Sequence, residues 1–519
     1  MAAGPEKPIL VLALPNLPKV RREHLWPMLI LGVLGFWIGL IPNSPHDFWW
    51  HLKIGELIAT NGIPTINKFA WSLPADTPYV YQSWLGEWLF YKLYQLGGLP
   101  FVIFSRNLLG LTTFTLVAME AKRRSNSWRL AAAVVLLTGL MALNNLSIRT
   151  QNWSWLPFIL TFILFGKYID GQVTKKWLFL LPLLLIFWVN VHGAFVIGLL
   201  VGAAFVLGEL GQKLLKLPHA LTWNKIQFLI LAWFAMLPAT LANPLGIGIF
   251  SYVKQILTTS AIQKLANEWQ PPTPHSVAGG FFYFSVLVIF ISLAFARQRL
   301  RLSDLILLCG LGWMAFNSAR HVIWFSLVAM PLVAQAFAAP RPIFSVQLPP
   351  RRIPKRERVS KFLTLFFALL LLLLPVASQP WVKPYLPWPQ PYQDLFAPVP
   401  NAPFIFTAST PVKATDHLIK EPCEGHLFNE MGYGSYLIWA QKQQIFIDPR
   451  LELFSDSLWQ DYILLSEGRE AERLLEKYEI SCVMLDRKQQ PYLSTALTTI
   501  SCWQKTYEDT ETEVWRCQN

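Results

Sequence analysis

The chain is 519 residues long, 53% hydrophobic and 14% charged, with a mean hydropathy of +0.37; soluble domains carry roughly 25% charged residues. Such a composition excludes an ordinary soluble globule and points to a polytopic membrane protein. The net charge of +13 does not imply nucleic acid, because no basic–aromatic reader motif is present and excess Lys and Arg anchor the cytoplasmic loops of membrane proteins.

Residues 1–24 form a short basic N-terminus with Lys19, Arg21 and Arg22 just ahead of the first apolar run. That run lacks a small-residue cleavage site and reads as a retained anchor. Apolar length predicts about eleven spans, near 25–42, 99–119, 130–146, 153–169, 177–190, 194–210, 226–243, 280–296, 304–318, 321–339 and 362–378. They define a membrane unit over 25–378. The N-terminus and the segments 120–129, 167–176, 211–225, 297–303 and 340–361 hold 24 Lys and Arg, against 7 in the opposite set of 43–98, 147–152, 191–193, 244–279 and 319–320. The first set is therefore expected inside, and eleven spans leave the C-terminal tail outside.

The first outer loop, 43–98, is too long for a plain connector. Asp47-Phe48-Trp49-Trp50-His51-Leu52-Lys53 puts a carboxylate and an imidazole on one helix face at i, i+4. The helix is expected to run from Asp47 to Asn61 and to stop at Gly62-Ile63-Pro64. A second helix starts at Ser83, carries Trp84, Glu87 and Trp88, and ends at Gly97-Gly98. Both read as interfacial, with Trp49, Trp50, Trp84 and Trp88 toward lipid. The plainer reading of Asp47 is a helix N-cap, of His51 a polar niche, and of Glu87 a solvated helix face.

The remaining polar clusters also fall on the expected outer face: Arg149-Thr150-Gln151, Asn190-Val191-His192-Gly193, Asn243-Pro244-Leu245-Gly246, Glu268-Trp269 and Arg320-His321. One outward-facing site would produce that convergence, although helix ends need polar caps in any case. Arg106 lies about 10 Å below the outer surface at 1.5 Å per residue, where an arginine is costly and by default functional. Arg149 and Arg320 at span ends either snorkel to the interface or bind an anion. Turn chemistry explains Asn190 and Gly193 but not His192. The nine histidines are scattered without zinc spacing.

Residues 379–405 are Pro-rich and read as an extended linker. Beyond it, 406–519 reads as a small outer α/β domain: helix 411–420, strand 426–429, helix 433–440, strand 444–448, helix 469–478, strand 480–485, helix 491–499 and a hairpin near 502–517. Asp448 and Arg450 are either a ligand site or, the favoured reading, an ion pair tying this domain to the membrane unit. Cys423, Cys482, Cys502 and Cys517 lie where disulfides form. Cys502 and Cys517 flank the hairpin, but four cysteines allow three pairings.

One span, a long outer loop with Asp near its start, two interfacial helices, many further spans and an outer tail domain resemble the GT-C superfamily of membrane glycosyltransferases. The motifs are more similar still to a group of bacterial membrane proteins with an Asp-x-Trp-Trp-His-Leu segment, a Gly-x-x-Pro turn and a Glu-Trp-Leu helix. The matching residues are Asp47, Trp49, Trp50, His51, Gly62, Pro64, Trp84, Glu87, Trp88, Asn190, His192, Gly193, Asn243, Pro244, Gly246, Glu268 and Trp269, and in the tail Phe428-Asn429-Glu430, Gly434-Ser435-Tyr436-Leu437 and Ile447-Asp448-Pro449-Arg450. The resemblance implies an eleven-span GT-C-like fold with an extracytoplasmic α/β domain in a bacterial plasma membrane. It also implies transfer of a sugar from a polyprenyl-phosphate donor to a lipid, glycan or protein acceptor. Asp47 would be the base, with His51 and Glu87 assisting; Arg106, Arg149, His192, Arg320 and His321 would hold the donor phosphate. Some family members pair two acids in this loop and use a divalent metal. Here Asp47 stands alone, with Glu56 nine residues on, which weakens a metal-centred mechanism. The alternatives are a non-catalytic member that binds lipid-linked glycan or scaffolds an envelope complex, and a transporter; few internal charges and no paired broken helices count against the last.

Overall fold

A computed structural model describes residues 21–296, 300–338, 357–440 and 443–518. Much of the basic character expected inside, in 1–20, 297–299 and 339–356, lies outside the described residues. The membrane unit is helical: α1 (Leu25–Leu40), α2 (Phe48–Asn61), α3 (Trp84–Ser125), α4 (Trp128–Met141), α5 (Trp155–Ile169), α6 (Leu180–Val191), α7 (Phe195–Leu214), α8 (Trp223–Ala239), α9 (Ile249–Thr258), α10 (Ser260–Leu265), α11 (Val277–Ala294), α12 (Leu302–Asn317), α13 (Val322–Ala336) and α14 (Glu357–Ala377). A helix occupies each of the eleven apolar stretches. Five segments are long and apolar enough to cross a membrane: Arg22–Leu40, Trp84–Ser125, Phe195–Leu214, Val277–Ala294 and Ala319–Ala336.

Helix α3 has 42 residues, roughly twice the ~20 that cross a bilayer. It breaks at Gly97 and Gly98, the latter at φ +66°, a conformation that only glycine adopts freely. The break separates an outer arm, 84–96, from a spanning arm, 99–125. The outer arm carries α2, and Gly55 makes their close approach feasible: a Cβ there would overlap the Glu87 carbonyl.

The interfacial expectation for α2 is corrected. Phe48, Trp49, Trp50, His51, Leu52 and Ile54 are buried between α3 and α17 (Met431–Ala440) of the tail. Trp49 stacks on Phe406 at 5.1 Å and meets Tyr436 edge-on, and the Trp50 amide donates to Ser435 Oγ at 3.0 Å. The tail thus covers aromatic surface that the sequence reading left to lipid.

The Pro-rich segment is not an extended linker. It contains α15 (Gln390–Gln393) and straps the outer end of α1, where Lys383 Nζ donates to Gly39 O (3.1 Å) and Tyr392 Oη to Leu40 O (3.0 Å). A helix C-terminus leaves carbonyls without intrahelical partners, and the strap supplies donors to them.

The tail contains α16 (Val412–Lys420), β1 (His426–Asn429), α17, α18 (Asp456–Ser466), α19 (Ala471–Lys477), β2 (Ile480–Asp486), α20 (Pro491–Leu497), β3 (Trp503–Glu508) and β4 (Thr512–Cys517). The sheet order is β1-β2-β4-β3, with β1 parallel to β2 and the other pairs antiparallel. Helix α18 is absent from the sequence reading, and the expected strand 444–448 does not join the sheet. The Asn429 side chain holds it instead, accepting from Phe446 N (2.9 Å) and donating to Ile447 O (2.8 Å). Ile445 instead bridges to Ala70 of the first outer loop. Disulfides join Cys423 to Cys482 and Cys502 to Cys517.

Candidate functional site

A cavity of about 570 Å³ opens where the first outer loop, the outer helix ends and the tail meet. Its floor is a carboxylate clasped by two guanidiniums. Glu268 sits on the 3-10 turn Asn267–Trp269, which Ser318 pins by donating Oγ–H to Glu268 O at 3.0 Å. Arg149 Nη1 donates to Glu268 Oε2 and Arg320 Nη1 to Glu268 Oε1, the latter at 2.7 Å. Burial alone would raise the Glu268 carboxyl, but Arg149 and Arg320 outweigh it and hold it at about 2. Glu268 is therefore an anion at any working pH.

Asp47 faces the clasp, 3.9 Å from Arg149 Nη1. Its side chain makes no capping hydrogen bond to α2, so the N-cap reading fails and the carboxylate is left for the cavity. One turn on, His51 Nδ1 lies 3.0 Å from Glu87 Oε1. Glu87 is 1% exposed, on the outer arm of α3, so a solvated helix face is ruled out. Burial raises its carboxyl to about 8; burial, then Arg149 and Arg320, push the His51 imidazole well below its ordinary value. The pair is neutral near pH 7, and Glu87 touches His51 from behind rather than lining the cavity.

His192 follows α6 as its C-cap. The Ala194 amide donates to His192 Nδ1 at 3.1 Å, which places the proton of the neutral ring on Nε2. Burial, then Arg320, hold that ring neutral. His192 Nε2 lies 3.3 Å from Arg320 Nη2. Both atoms are donors, so they do not satisfy one another.

The flank of the cavity is apolar. Val196, Ile197 and Leu200 of α7 line it together with Val253, Ile256 and Leu257 of α9, and Leu200 and Leu257 are half exposed.

Of the residues singled out from sequence, Asp47, Trp50, His51, Arg149, His192, Arg320 and His321 line this one cavity. Arg106 does not. It is 1% exposed and donates to the carbonyls of Leu146, Ile38 and Ile41, supplying donors to the C-terminal end of α1 rather than to a ligand. Trp49 is fully buried. Trp84 Nε1 donates to Asn190 Oδ1 at 2.7 Å, and Trp88 lies half-buried under Lys92. The sequence reading named Gln151 and Glu268 only as members of the outer-face polar clusters and gave no role to Tyr79 or Glu452, all in the cavity wall. Arg450 and Asp448 do form a buried ion pair at 2.6 Å, and Arg450 Nη2 reaches Asn67 Oδ1 of the first outer loop at 3.2 Å, but Arg450 also lines the cavity.

A divalent cation does not fit this donor set. Hard cations take several oxygen ligands, commonly carboxylates, yet both Glu268 oxygens are held by arginine and Asp47 faces a third guanidinium contact. Among the described residues no three His, Cys, Asp or Glu side chains converge as ligands.

No protein-family model and no curated protein sequence matches the chain. Solved structures do. The archaeal oligosaccharyltransferase AglB from Archaeoglobus fulgidus, in complex with an inhibitory peptide and a dolichol-phosphate, superposes over 95% of this chain and 74% of its own at 12% identity and a TM-score of 0.50. The arabinofuranosyltransferase AftD from mycobacteria superposes over 94% of this chain and 41% of its own at 11% identity and a TM-score of 0.51. The chain therefore shares the fold of these two structures over most of its length.

Proposed function

We propose that this protein is a membrane glycosyltransferase that moves a sugar from a polyprenyl-phosphate carrier to an acceptor hydroxyl or amide outside the cytoplasm. The observation that carries the reading is the convergence, in one cavity, of Asp47 with unsatisfied phosphate donors on Arg320 and His192, beside an apolar flank. Arg forks and a neutral imidazole N–H suit phosphate oxygens, and the α7–α9 flank suits a prenyl chain. Asp47 accepts the acceptor's proton as its oxygen or nitrogen bonds to the anomeric carbon. The bond from that carbon to the phosphate oxygen breaks, its electron pair stays on the phosphate, and Arg149, Arg320 and His192 stabilise the charge that develops. His51, fixed at Nδ1 by Glu87, keeps Nε2 for the cavity as a positioning group.

The orientation with the N-terminus in the cytoplasm is supported by the Lys and Arg bias and by two disulfides in the tail, which belong to an oxidising compartment. The function is tested by incubating membranes with radiolabelled sugars on undecaprenyl phosphate. Sugar should pass to an extracytoplasmic acceptor only when the protein is present. Incorporation equal to that of membranes lacking it, across a panel of hexose and pentose donors, contradicts the reading and favours a binding or scaffolding role.

A further inference from the structure

Three carboxylates line the cavity, Asp47, Glu268 and Glu452, and two of them face arginine. Asp47 lies 3.9 Å from Arg149 Nη1, and Glu268 is held by Arg149 and Arg320. Glu452, from the tail, forms no ion pair with any described residue. Its carboxylate accepts from Tyr79 Oη at 2.8 Å and from its own amide. An ionised carboxylate has about four acceptor sites, so about half remain. Glu452 is half-buried, and neither of its oxygens is both buried and unpartnered.

Tyr252 of α9 lies beside it. Burial first, then the Glu452 carboxylate, raise the Tyr252 hydroxyl well above its ordinary value, and Glu452 and Tyr252 together act on Tyr79 in the same way. Tyr252 lines the cavity, is half-buried and makes no hydrogen bond among the described residues, and its hydroxyl is not sealed off. The first outer loop, α9 and the tail thus meet around one carboxylate.

Hydration alone would account for a half-buried carboxylate; the charge balance of the cavity asks for more. No lysine lines it, and of its arginines Arg450 is neutralised by Asp448 at 2.6 Å. That leaves Arg149 and Arg320 against three carboxylates. The imidazoles of His46, His51 and His192 do not make up the difference, because burial holds each below its ordinary value. A donor phosphate adds further negative charge. An unpaired carboxylate is costly to bury, and burial raises the Glu452 carboxyl against the pull of its own amide, Tyr79 and Arg450. A second anion does not suit this place, and a ligand with hydroxyls alone leaves the charge uncompensated. A primary ammonium supplies the missing positive charge and three N–H donors, enough for Glu452 and Tyr252 together.

We infer that Glu452, with the Tyr252 hydroxyl, is a binding site for a protonated primary amine carried by the transferred sugar or by the acceptor. This rests on the reading of the cavity as the substrate cavity, and it gives the tail a direct contact with substrate.

Two binding series on the purified full chain in phosphatidylglycerol nanodiscs at pH 7 separate the two sources. In the first, undecaprenyl phosphate is compared bare and bearing glucosamine, N-acetylglucosamine or glucose. In the second, phosphoethanolamine is compared with glycerol phosphate. The wild type should bind the amine of one series about tenfold tighter than its neutral counterparts, glucosamine marking the sugar and phosphoethanolamine the acceptor. Glu452→Gln, which still accepts from Tyr79, should abolish that margin while binding the neutral members within about twofold of wild type, and Tyr252→Phe should reduce the margin about threefold. No margin in either series, or one that survives Glu452→Gln, overturns the site. Should Glu452→Gln fail to fold, an unchanged margin in Tyr252→Phe overturns it. Failure of the wild type to bind bare undecaprenyl phosphate overturns the donor reading instead, and the phosphoethanolamine series then decides the amine site.

Discussion

Both ends of the helical bundle hold paired charge, and they do so differently. At the end expected inside, Glu120 is completely buried and accepts from Arg123 Nη2 (2.6 Å), Arg123 Nε (2.7 Å) and Arg124 Nε (2.6 Å). Arg124 continues to Gln335 at 2.7 Å and to Asp304, and Arg123 to Asp170. None of these side chains has an orphaned buried atom. At the end expected outside, Arg149, Glu268 and Arg320 are also paired, but they face a cavity. Around that cavity the Asp47 side chain makes no helix-capping bond, and His192 and Arg320 meet donor to donor. Buried charge alone does not mark a site. A saturated network ties helices together; an unsaturated one facing a void is arranged for something absent from the chain.

Four substitutions sharpen that contrast. The largest effect is expected from Arg149→Met with Arg320→Met: loss of two charged contacts should weaken undecaprenyl phosphate binding by about 10²- to 10⁴-fold, read by equilibrium binding. Next, Glu120→Gln at the inner end should cost about 3–5 kcal/mol of stability, because it leaves buried guanidiniums without their carboxylate; thermal unfolding in detergent checks it, and donor binding by the folded fraction should stay at the wild-type level. Glu268→Gln should act in the opposite direction at the outer end. Removing the carboxylate that occupies both arginines should tighten bare-carrier binding by about tenfold, and a weakened affinity would show that Glu268 orders the arginines rather than competing with phosphate.

The smallest effect concerns pH. Glu87 has a folded value raised by burial to about 8 from an ordinary 4.5. The folded state therefore holds this proton more firmly than the unfolded state. The stability it confers is complete below about 4.5 and is lost as pH rises toward 8. Wild-type Tm should fall across that window more steeply than Tm of Glu87→Gln, which has no proton to lose. Parallel profiles would mean that Glu87 is ionised throughout.

Much of the fold was legible because bilayer physics writes directly into sequence: apolar length located the helices, and Gly97-Gly98 marked the break in α3. The polar residues of the cavity were legible as a set because loop charge placed them on one face. What could not be read were tertiary partners. Arg106 looked functional because an arginine within a span needs acceptors, and its acceptors are backbone carbonyls at the end of α1, which no side-chain pattern reveals. Trp49 looked lipid-facing because the tail that covers it begins more than 300 residues later in the chain. The 444–448 segment pairs with the Asn429 side chain and with Ala70 instead of with a strand of the sheet. The inner end read as merely basic because orientation is counted in Lys and Arg, so Glu120, inside the counted segment 120–129, and Asp304, just beyond 297–303, added nothing to it.

The central claim is that chemistry belongs to the outer network and cohesion to the inner one. It is tested most directly by sugar transfer per folded molecule for Asp47→Asn and Glu120→Gln side by side, with thermal stability measured on the same samples. The account predicts that Asp47→Asn keeps the wild-type Tm and loses transfer by about 10²- to 10⁴-fold, while Glu120→Gln loses stability and keeps transfer. Full transfer by folded Asp47→Asn would contradict it.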